Sequence, residues 1–582
     1  MKSILIQPSD GPQVLKPAEF RSSGRARKLS AFLLLAALAT GIAQGKDTPP
    51  AAPVVHLANG ALRGTLQSDT AVFKAIPFAA PPVGDLRWRP PQPAANWKGV
   101  RDATQSAPYC MQNPTALDPF IQPLAADYGV DFPSQTVPTS EDCLYLNVYA
   151  PQWPVKSPLP VMVWIHGGSN RVGSGSQPIY DGTSLAAHGV LVVTVNYRLG
   201  IFGFFSHPAL TAESPHRSSG NYGLLDQLAA LQWVQQNIAQ FGGDPRNVTV
   251  FGESAGSIDI GMLLVSPLST NLFRRAILES GPPFGLGSIH NLHEAEATGA
   301  ALAQAAPGNP ATPLENLRKL SAPDLLKFAS DRTNGAYDAS SVVDGWVLTQ
   351  SPARAFSTGA LQPADLIIGF NGRELSAFRV AAAARAKAAP TPAPPVSVTA
   401  MVGKLADTAR PLYGNFTYLA IAKYVLQSFS HKDQAIDQLS NDMLIACPIG
   451  AMAVLHNATG QKTFIYRFDR SIPGKGEADL GAFHSIELAY VFNTFQDRSW
   501  RWLPFISADL ALSTTVEDYW TNFAKSGDPN ARGLPAWPTW QDGSEPYLQF
   551  TPSAVPAAQQ DLSPSFCSLS ADRLRKSLAE SK

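Results

Sequence analysis

The stretch Gly252-Glu253-Ser254-Ala255-Gly256 places a serine hydroxyl at the centre of a five-residue pattern with glycine at both ends. Before it, the β-branched and aromatic run Val248-Thr249-Val250-Phe251 reads as a buried strand; after it, Ser257 to Leu264 can open a helix. A G-x-S-x-G set between strand and helix makes a sharp turn that lifts the serine off the sheet. The flanking glycines are steric: at so tight a turn a Cβ on either would meet neighbouring backbone. Ser254 Oγ should then face a cavity at the positive end of a helix.

A serine hydroxyl is a poor nucleophile at neutral pH. It needs a base within hydrogen-bond reach, and the base needs an acid to orient it and stabilise its cation. Where a serine sits at such a turn, the acid and then the histidine follow it along the chain. Five of the ten histidines follow Ser254: His290, His293, His431, His456 and His484. His290 and His293 come too soon to leave room for an acid-bearing strand. His431 begins a charged, exposed-looking stretch, and His456 lies in a helical apolar pattern that suits a structural histidine. His484 lies beyond the strand Phe464 to Phe468 and a polar Gly-rich loop, where a strand's C-terminal edge would deliver a base. The acid should follow the strand Leu366-Ile367-Ile368, and Glu374 is the carboxylate there; Asp338 and Asp344 precede that strand and are the alternatives. The tetrahedral oxyanion needs backbone donors. Ala255 supplies one, and Gly168 and Ser169 of His166-Gly167-Gly168-Ser169 are placed to supply others.

These residues need a sheet to hold them. Val161 to Ile165 and Val190 to Val195 are nearly all apolar, as strands buried on both faces should be. Leu224 to Phe241 repeats its apolar residues at helical spacing and stops at Gly242-Gly243. Such alternation predicts an α/β protein with a parallel sheet. Val54 to Leu57, Ala61 to Leu66 and Ala71 to Ile76 read as an antiparallel meander before it. Residues 290 to 335 and 400 to 460 read as a mainly helical cap. Ala381 to Pro395, Ala-rich then Pro-rich, reads as a mobile surface excursion.

The 582 residues carry 45 acidic and 45 basic side chains and 45% hydrophobic residues, which suits a large, well-cored protein. That balance argues against nucleic acid or an anionic membrane surface as the main partner. Arg21, Arg25, Arg27 and Lys28 precede an apolar run from Leu29 to Ala39 and small residues up to Gly45. Residues 1–45 therefore read as a cleaved signal peptide, and 46–582 as one exported domain. No later segment is expected to span a membrane. Cys110 and Cys143 enclose a Pro-rich loop, the pattern of a disulfide clip in an oxidising compartment. Cys447 and Cys567 either pair or stay as buried thiols. With no C-x-x-C and no His/Cys cluster, neither a metal nor another cofactor is expected.

Taken in order, the motifs resemble the carboxylesterase type B (carboxylesterase/cholinesterase) family of α/β hydrolases. The likeness covers almost everything after Val54. It runs through Arg87-Trp88-Arg89-Pro90-Pro91, Ser140-Glu141-Asp142-Cys143-Leu144-Tyr145-Leu146-Asn147 and Asn196-Tyr197-Arg198-Leu199-Gly200. It continues in Gly220-Asn221-Tyr222-Gly223-Leu224-Leu225-Asp226-Gln227, Phe241-Gly242-Gly243-Asp244-Pro245, the Ser254 motif and His484-Ser485-Ile486-Glu487.

The resemblance implies an α/β-hydrolase fold, with a large, mostly parallel central sheet flanked by helices and helical cap regions. It implies Ser254 as nucleophile, Glu374 as acid, His484 as base, and Gly168, Ser169 and Ala255 as the oxyanion hole. It also implies a Cys110–Cys143 disulfide, braced by an Arg87–Glu141 ion pair. Three departures matter. Ser169 stands where a third glycine is common, Leu375 where a glycine usually follows the acid. No tryptophan lies between Cys110 and Cys143, where cholinesterases carry one for the choline cation.

The expected activity is hydrolysis of small neutral carboxylic esters through an acyl-enzyme on Ser254. Phe120, Tyr128 and Phe132 are the aromatics of the Cys110–Cys143 loop, and Pro282 to Leu286 is apolar and suits an uncharged acyl group. A non-catalytic binding member of the fold would be expected to lose one of the three residues, and none is missing. A lipase or acyltransferase would keep all three and differ in what reaches the acyl-enzyme. Glu253 and Glu487 are either structural ion-pair partners or groups that tune the pocket's electrostatics.

Overall fold

The computed structural model describes residues 52–284, 289–331, 337, 340–388, 432–562 and 567, with isolated positions between 403 and 422. The expected signal peptide lies outside the described residues. Eleven strands form the main sheet. They are β1 (Thr65–Gln67), β2 (Thr70–Pro77), β3 (Tyr145–Ala150), β4 (Leu159–Ile165), β5 (Leu191–Val195), β6 (Gly243–Glu253), β7 (Arg275–Glu279), β8 (Asp365–Asn371), β9 (Thr463–Phe468), β10 (Tyr547–Phe550) and β11 (Pro556–Gln559). Their order across the sheet is β11-β10-β9-β8-β7-β6-β4-β5-β3-β2-β1. From β10 to β5 all neighbours run parallel, and the strands at either edge pair antiparallel.

Strand alternation decides which side chains serve which face. On β4, Val161, Val163 and Ile165 join the core beneath α1 (Tyr222–Asn237) and α2 (Ala255–Val265), with Leu228, Leu231 and Ile260. Met162 and Trp164 point the other way, into a core shared with Trp520 and Phe523 of α4 (Ser507–Ser526); α3 (Ser376–Ala388) precedes α4 in the chain. The Trp164 ring lies 4.8 Å from Phe251 and 4.9 Å from Phe492, locking the central strands just below the serine turn. Aromatic pairs of this kind contribute roughly 0.5–1.5 kcal/mol beyond area burial. Gly242, at φ 89°, ends the helical run from α1 as its left-handed cap.

Four readings need correction. The expected meander divides at Gly64, where a Cβ would lie 2.5 Å from Val72 O. Val54–Leu57 and Gly60–Arg63 form a small sheet with Val100–Asp102, whereas β1 and β2 join the main sheet. Ala381 to Ala388 lie at the surface, apart from buried Ala381, but as the regular end of α3 and not as an excursion from it; 389–395 lie outside the described residues. The Asp437–Asn457 helix is, over its 21 residues, long and apolar enough to cross a membrane, and the reason is that it fills the core: Met443, Ile445, Ile449 and Met452 are buried. The helical reading of 290–335 holds for Leu292–Gln304, Pro313–Lys319 and Ala322–Ser330. Of the apolar segment 282–286, the described residues Pro282 to Phe284 do not wall the cavity described below: Pro283 packs on Gly261 and Phe284 on Phe356, and 285 and 286 lie outside the described residues.

Candidate active site

At the end of β6 the chain turns through Ser254, at φ 55° and ψ −122°, directly into α2. Such a backbone is sparsely populated for a residue with a side chain and costs on the order of 1–3 kcal/mol. It persists because its surroundings fix it. Ser254 N donates to Glu279 O on β7 at 2.8 Å. A Cβ at Gly252 would lie 2.5 Å from Ile165 O, and one at Gly256 would also collide with that carbonyl. The helix begins at Ala255, earlier than sequence periodicity suggests.

His484 follows β9 and Glu374 follows β8, on the same edge of the sheet. His484 Nδ1 lies 2.6 Å from Glu374 Oε2. Glu374 is wholly buried; its other oxygen accepts from Asn371 N at 2.7 Å, and its own N–H donates to Asn441 Oδ1 at 3.1 Å. Leu375 has no positive φ, so the turn does not require the glycine usual at that position. Asp344 is committed elsewhere, to Ser218 and to the N–H groups of Trp346 and Leu348; Asp338 lies outside the described residues. His456 is a buried structural histidine between Thr463 Oγ1 (2.8 Å) and Ala364 O (3.0 Å), and burial lowers its pKa to about 4.

The other nitrogen of His484 has a partner that the sequence leaves open. Nε2 lies 3.0 Å from Glu253 Oε1, which also accepts from Ser485 Oγ at 2.6 Å. Burial by itself would lower the His484 pKa. The Glu253 carboxylate and then the Glu374 hydrogen bond outweigh it and raise it to about 9. Glu487, held by Ser280 Oγ and Asn371 Nδ2, is raised to about 8 by burial and then by Glu253. Burial raises Glu253 and Glu279 as well. So many buried carboxylates cannot all ionise, and the imidazolium is the charge that they favour.

Ser254, His484, Glu253, Gly168 and Ser169 line one cavity of about 490 Å³. Gly167 lets the loop lie against the serine turn, since a Cβ there would sit 2.7 Å from Glu253 O. Gly168 has φ 105°, and Ser169 keeps a left-handed φ of 56° despite its side chain. Phe120, Phe378, Trp500 and Trp502 supply apolar wall, and Arg171 and Arg385 bring positive charge. Neither tryptophan, nor Phe378, nor either arginine belongs to a motif near the serine, so no local sequence signal marks them. Cys110 is bridged to Cys143 and Cys447 to Cys567. Arg87 pairs with Glu141 through two bonds of 2.7 and 2.6 Å beside the first bridge.

A serine at a strand-to-helix turn, with an acid and a histidine that follow later strands in the parallel part of one mixed sheet, places the protein among the α/β hydrolases. Within that class, the chain belongs to the carboxylesterase family, whose model matches residues 51–569. It is 36% identical over 523 residues to the fumonisin B1 esterase of Sphingopyxis macrogoltabida, covering 88% of each chain. It is 36% identical over 550 residues to a liver carboxylesterase of Sus scrofa, covering 89% of this chain and 92% of that one. A solved PNB esterase superposes with a TM-score of 0.73 at 32% identity, over 90% of this chain and 99% of that chain. A Geobacillus stearothermophilus carboxylesterase does so at 0.71 and 33%, over 87% and 98%. The protein is a serine hydrolase of carboxylic esters.

Proposed function

We propose that Ser254 attacks the ester carbonyl, with His484 as general base and Glu374 as the acid that orients it. What carries the reading is the 2.6 Å contact between His484 Nδ1 and Glu374 Oε2 on the sheet edge where Ser254 makes its turn. His484 Nε2 takes the Ser254 proton as Oγ adds to the carbonyl carbon, giving a tetrahedral oxyanion. The N–H groups of Gly168, Ser169 and Ala255 stabilise that charge. The imidazolium then protonates the departing alcohol oxygen, leaving an acyl-enzyme. Water, deprotonated by the same nitrogen, attacks the acyl carbon; the bond to Ser254 Oγ then breaks as His484 returns the proton to that oxygen, and the acid leaves. Nε2 also lies 3.0 Å from Glu253 Oε1, which favours its protonated form, so His484 must lose that proton before it can take the one from Ser254.

The substrates of this reading are neutral esters. Phe120, Phe378, Trp500 and Trp502 accommodate an apolar group, and the positive charge of Arg171 and Arg385 opposes a quaternary ammonium. Residues 46–582 work as one exported domain after loss of 1–45, and two disulfides favour an oxidising compartment. The test is labelling with diethyl p-nitrophenyl phosphate and peptide mass spectrometry. The adduct is expected on Ser254, and Ser254→Ala should lose about 10⁴-fold or more in kcat while staying folded. An adduct on Ser257 or Ser280 instead overturns the assignment.

A further inference from the structure

Behind the loop that faces Ser254 lies a carboxylate that the proposed mechanism does not use. Asp259, on α2 one turn beyond the serine, is wholly buried. Its Oδ1 accepts from Asn170 Nδ2 at 3.0 Å, and its Oδ2 from Gln227 Nε2 at 2.5 Å. Asn170 directly follows Ser169, and the two form a consecutive left-handed pair, at φ 56° and 55°. Asn170 O accepts from Gly200 N at 2.6 Å, and Asn170 Oδ1 lies 3.1 Å from Tyr197 OH, which also reaches His166 O at 2.7 Å. Both the backbone and the amide of Asn170 are therefore tied down, and the amide's nitrogen ends on Asp259. Two adjacent strained residues stay in place only when their contacts over-determine them.

We propose that Asp259 is a positioning residue for ester hydrolysis: through the Asn170 amide it holds the left-handed Ser169–Asn170 turn, and with it the Ser169 N–H that the reading above assigns to the oxyanion. The proposal rests on the oxyanion reading given above. A donor displaced by even a fraction of an ångström loses much of its worth to the transition state while binding the ground state almost as well. The effect should therefore appear in kcat more than in KM.

Burial pushes the Asp259 carboxyl up to about 7, against the lowering effect of Asn170 and Gln227. The other titratable groups beside this network are Tyr197, which donates to Asn170 Oδ1, and the His166 ring, stacked on Tyr197 at 4.4 Å. The acid stays useful when protonated. One oxygen still accepts from Asn170, and its hydroxyl can donate to Gln227 Oε1, which has no partner among the described residues, once that amide turns over. Asparagine at this position reproduces the neutral pattern; leucine abolishes it and leaves the Asn170 amide without an acceptor.

The experiment measures kcat and KM per active site, counted by organophosphate labelling, in the full chain and in Asp259→Leu, Asp259→Asn, Asn170→Gly and the Asp259→Leu/Asn170→Gly double variant. Glycine at 170 keeps the left-handed backbone at ease and removes the tether along with the amide's contact to Tyr197 OH, which keeps its bond to His166 O. Asp259→Leu and Asn170→Gly are each expected to lose roughly 10–100-fold in kcat with KM changed less than about threefold. The double variant should be no worse than Asp259→Leu, because both changes cut one link. Asp259→Asn should recover most of the loss. A kcat per labelled site within about twofold of the parent in Asp259→Leu or Asn170→Gly overturns the proposal, as do losses that multiply in the double variant. Were the parent itself not labelled at Ser254, the catalytic reading would fall instead, and the two failures are distinguishable.

Discussion

Glu253 Oε1 lies 3.0 Å from His484 Nε2, so the imidazole is held between two buried carboxylates, Glu374 on Nδ1 and Glu253 on Nε2, the nitrogen proposed to serve Ser254. The arrangement favours the imidazolium, with the His484 pKa raised to about 9. A general base works in its neutral form. Activity in the free enzyme should therefore rise with pH along a limb well above the ordinary histidine value. Glu253→Gln removes one carboxylate and should move the limb of kcat/KM toward acid. A limb that stays in place in the variant would show that another group sets it.

The same groups govern stability. His484, raised from 6.5 to about 9, and Glu487, raised from 4.5 to about 8, bind protons more tightly in the folded state than in the unfolded one. The contribution of His484 is fully present below about 6.5 and lost as pH rises through about 9; that of Glu487 fades from about 4.5 to 8. His166 and His456, lowered to about 4 by burial, act in the opposite sense, adding stability as pH rises from about 4 to 6.5. The melting temperature should fall between pH 6.5 and pH 9. A rise over that interval, measured by scanning calorimetry, would contradict the proton assignments.

Glu374→Gln keeps the size of the acid and removes its charge. Loss of the orienting carboxylate should lower kcat by about 10²–10⁴-fold. Asp344→Asn, in a turn with Ser218, Trp346 and Leu348, should cost stability and leave turnover per folded molecule nearly intact. The reverse pattern in a side-by-side assay would place the acid at Asp344.

For substrate, kcat/KM for p-nitrophenyl butyrate is expected to exceed that for butyrylthiocholine. Trp500 and Trp502 offer faces that could hold a cation, but Arg171 and Arg385 share the same wall. A tenfold preference for the choline ester would mean that the tryptophan faces outweigh those charges.

The serine turn is legible in sequence because a turn that tight has few sequence solutions, and the glycines it needs, Gly252 and Gly256, stand within two residues of Ser254 even though the carbonyl that demands them, of Ile165, is on the neighbouring strand. The central strands are legible for a similar reason, since Val161–Ile165 is buried on both faces and must be apolar throughout. Glu374 can be found because it is the carboxylate that follows β8, and His484 because it follows β9. Contacts that join distant stretches were decided by packing alone. Glu253 reaches His484 across 231 positions of chain only because β6 and the segment after β9 end on one edge of the sheet. Trp500 and Trp502 come to the cavity from one turn segment and Phe378 from α3, and Phe284, beside the serine helix, turns instead onto Phe356. The link from Asp259 to Asn170 is of the same kind: neither residue carries a motif, and the need for it arises from two adjacent left-handed residues that only the folded backbone creates. Short-range sterics write themselves into neighbouring residues; long-range burial and charge leave no such trace until the sheet has brought the pieces together.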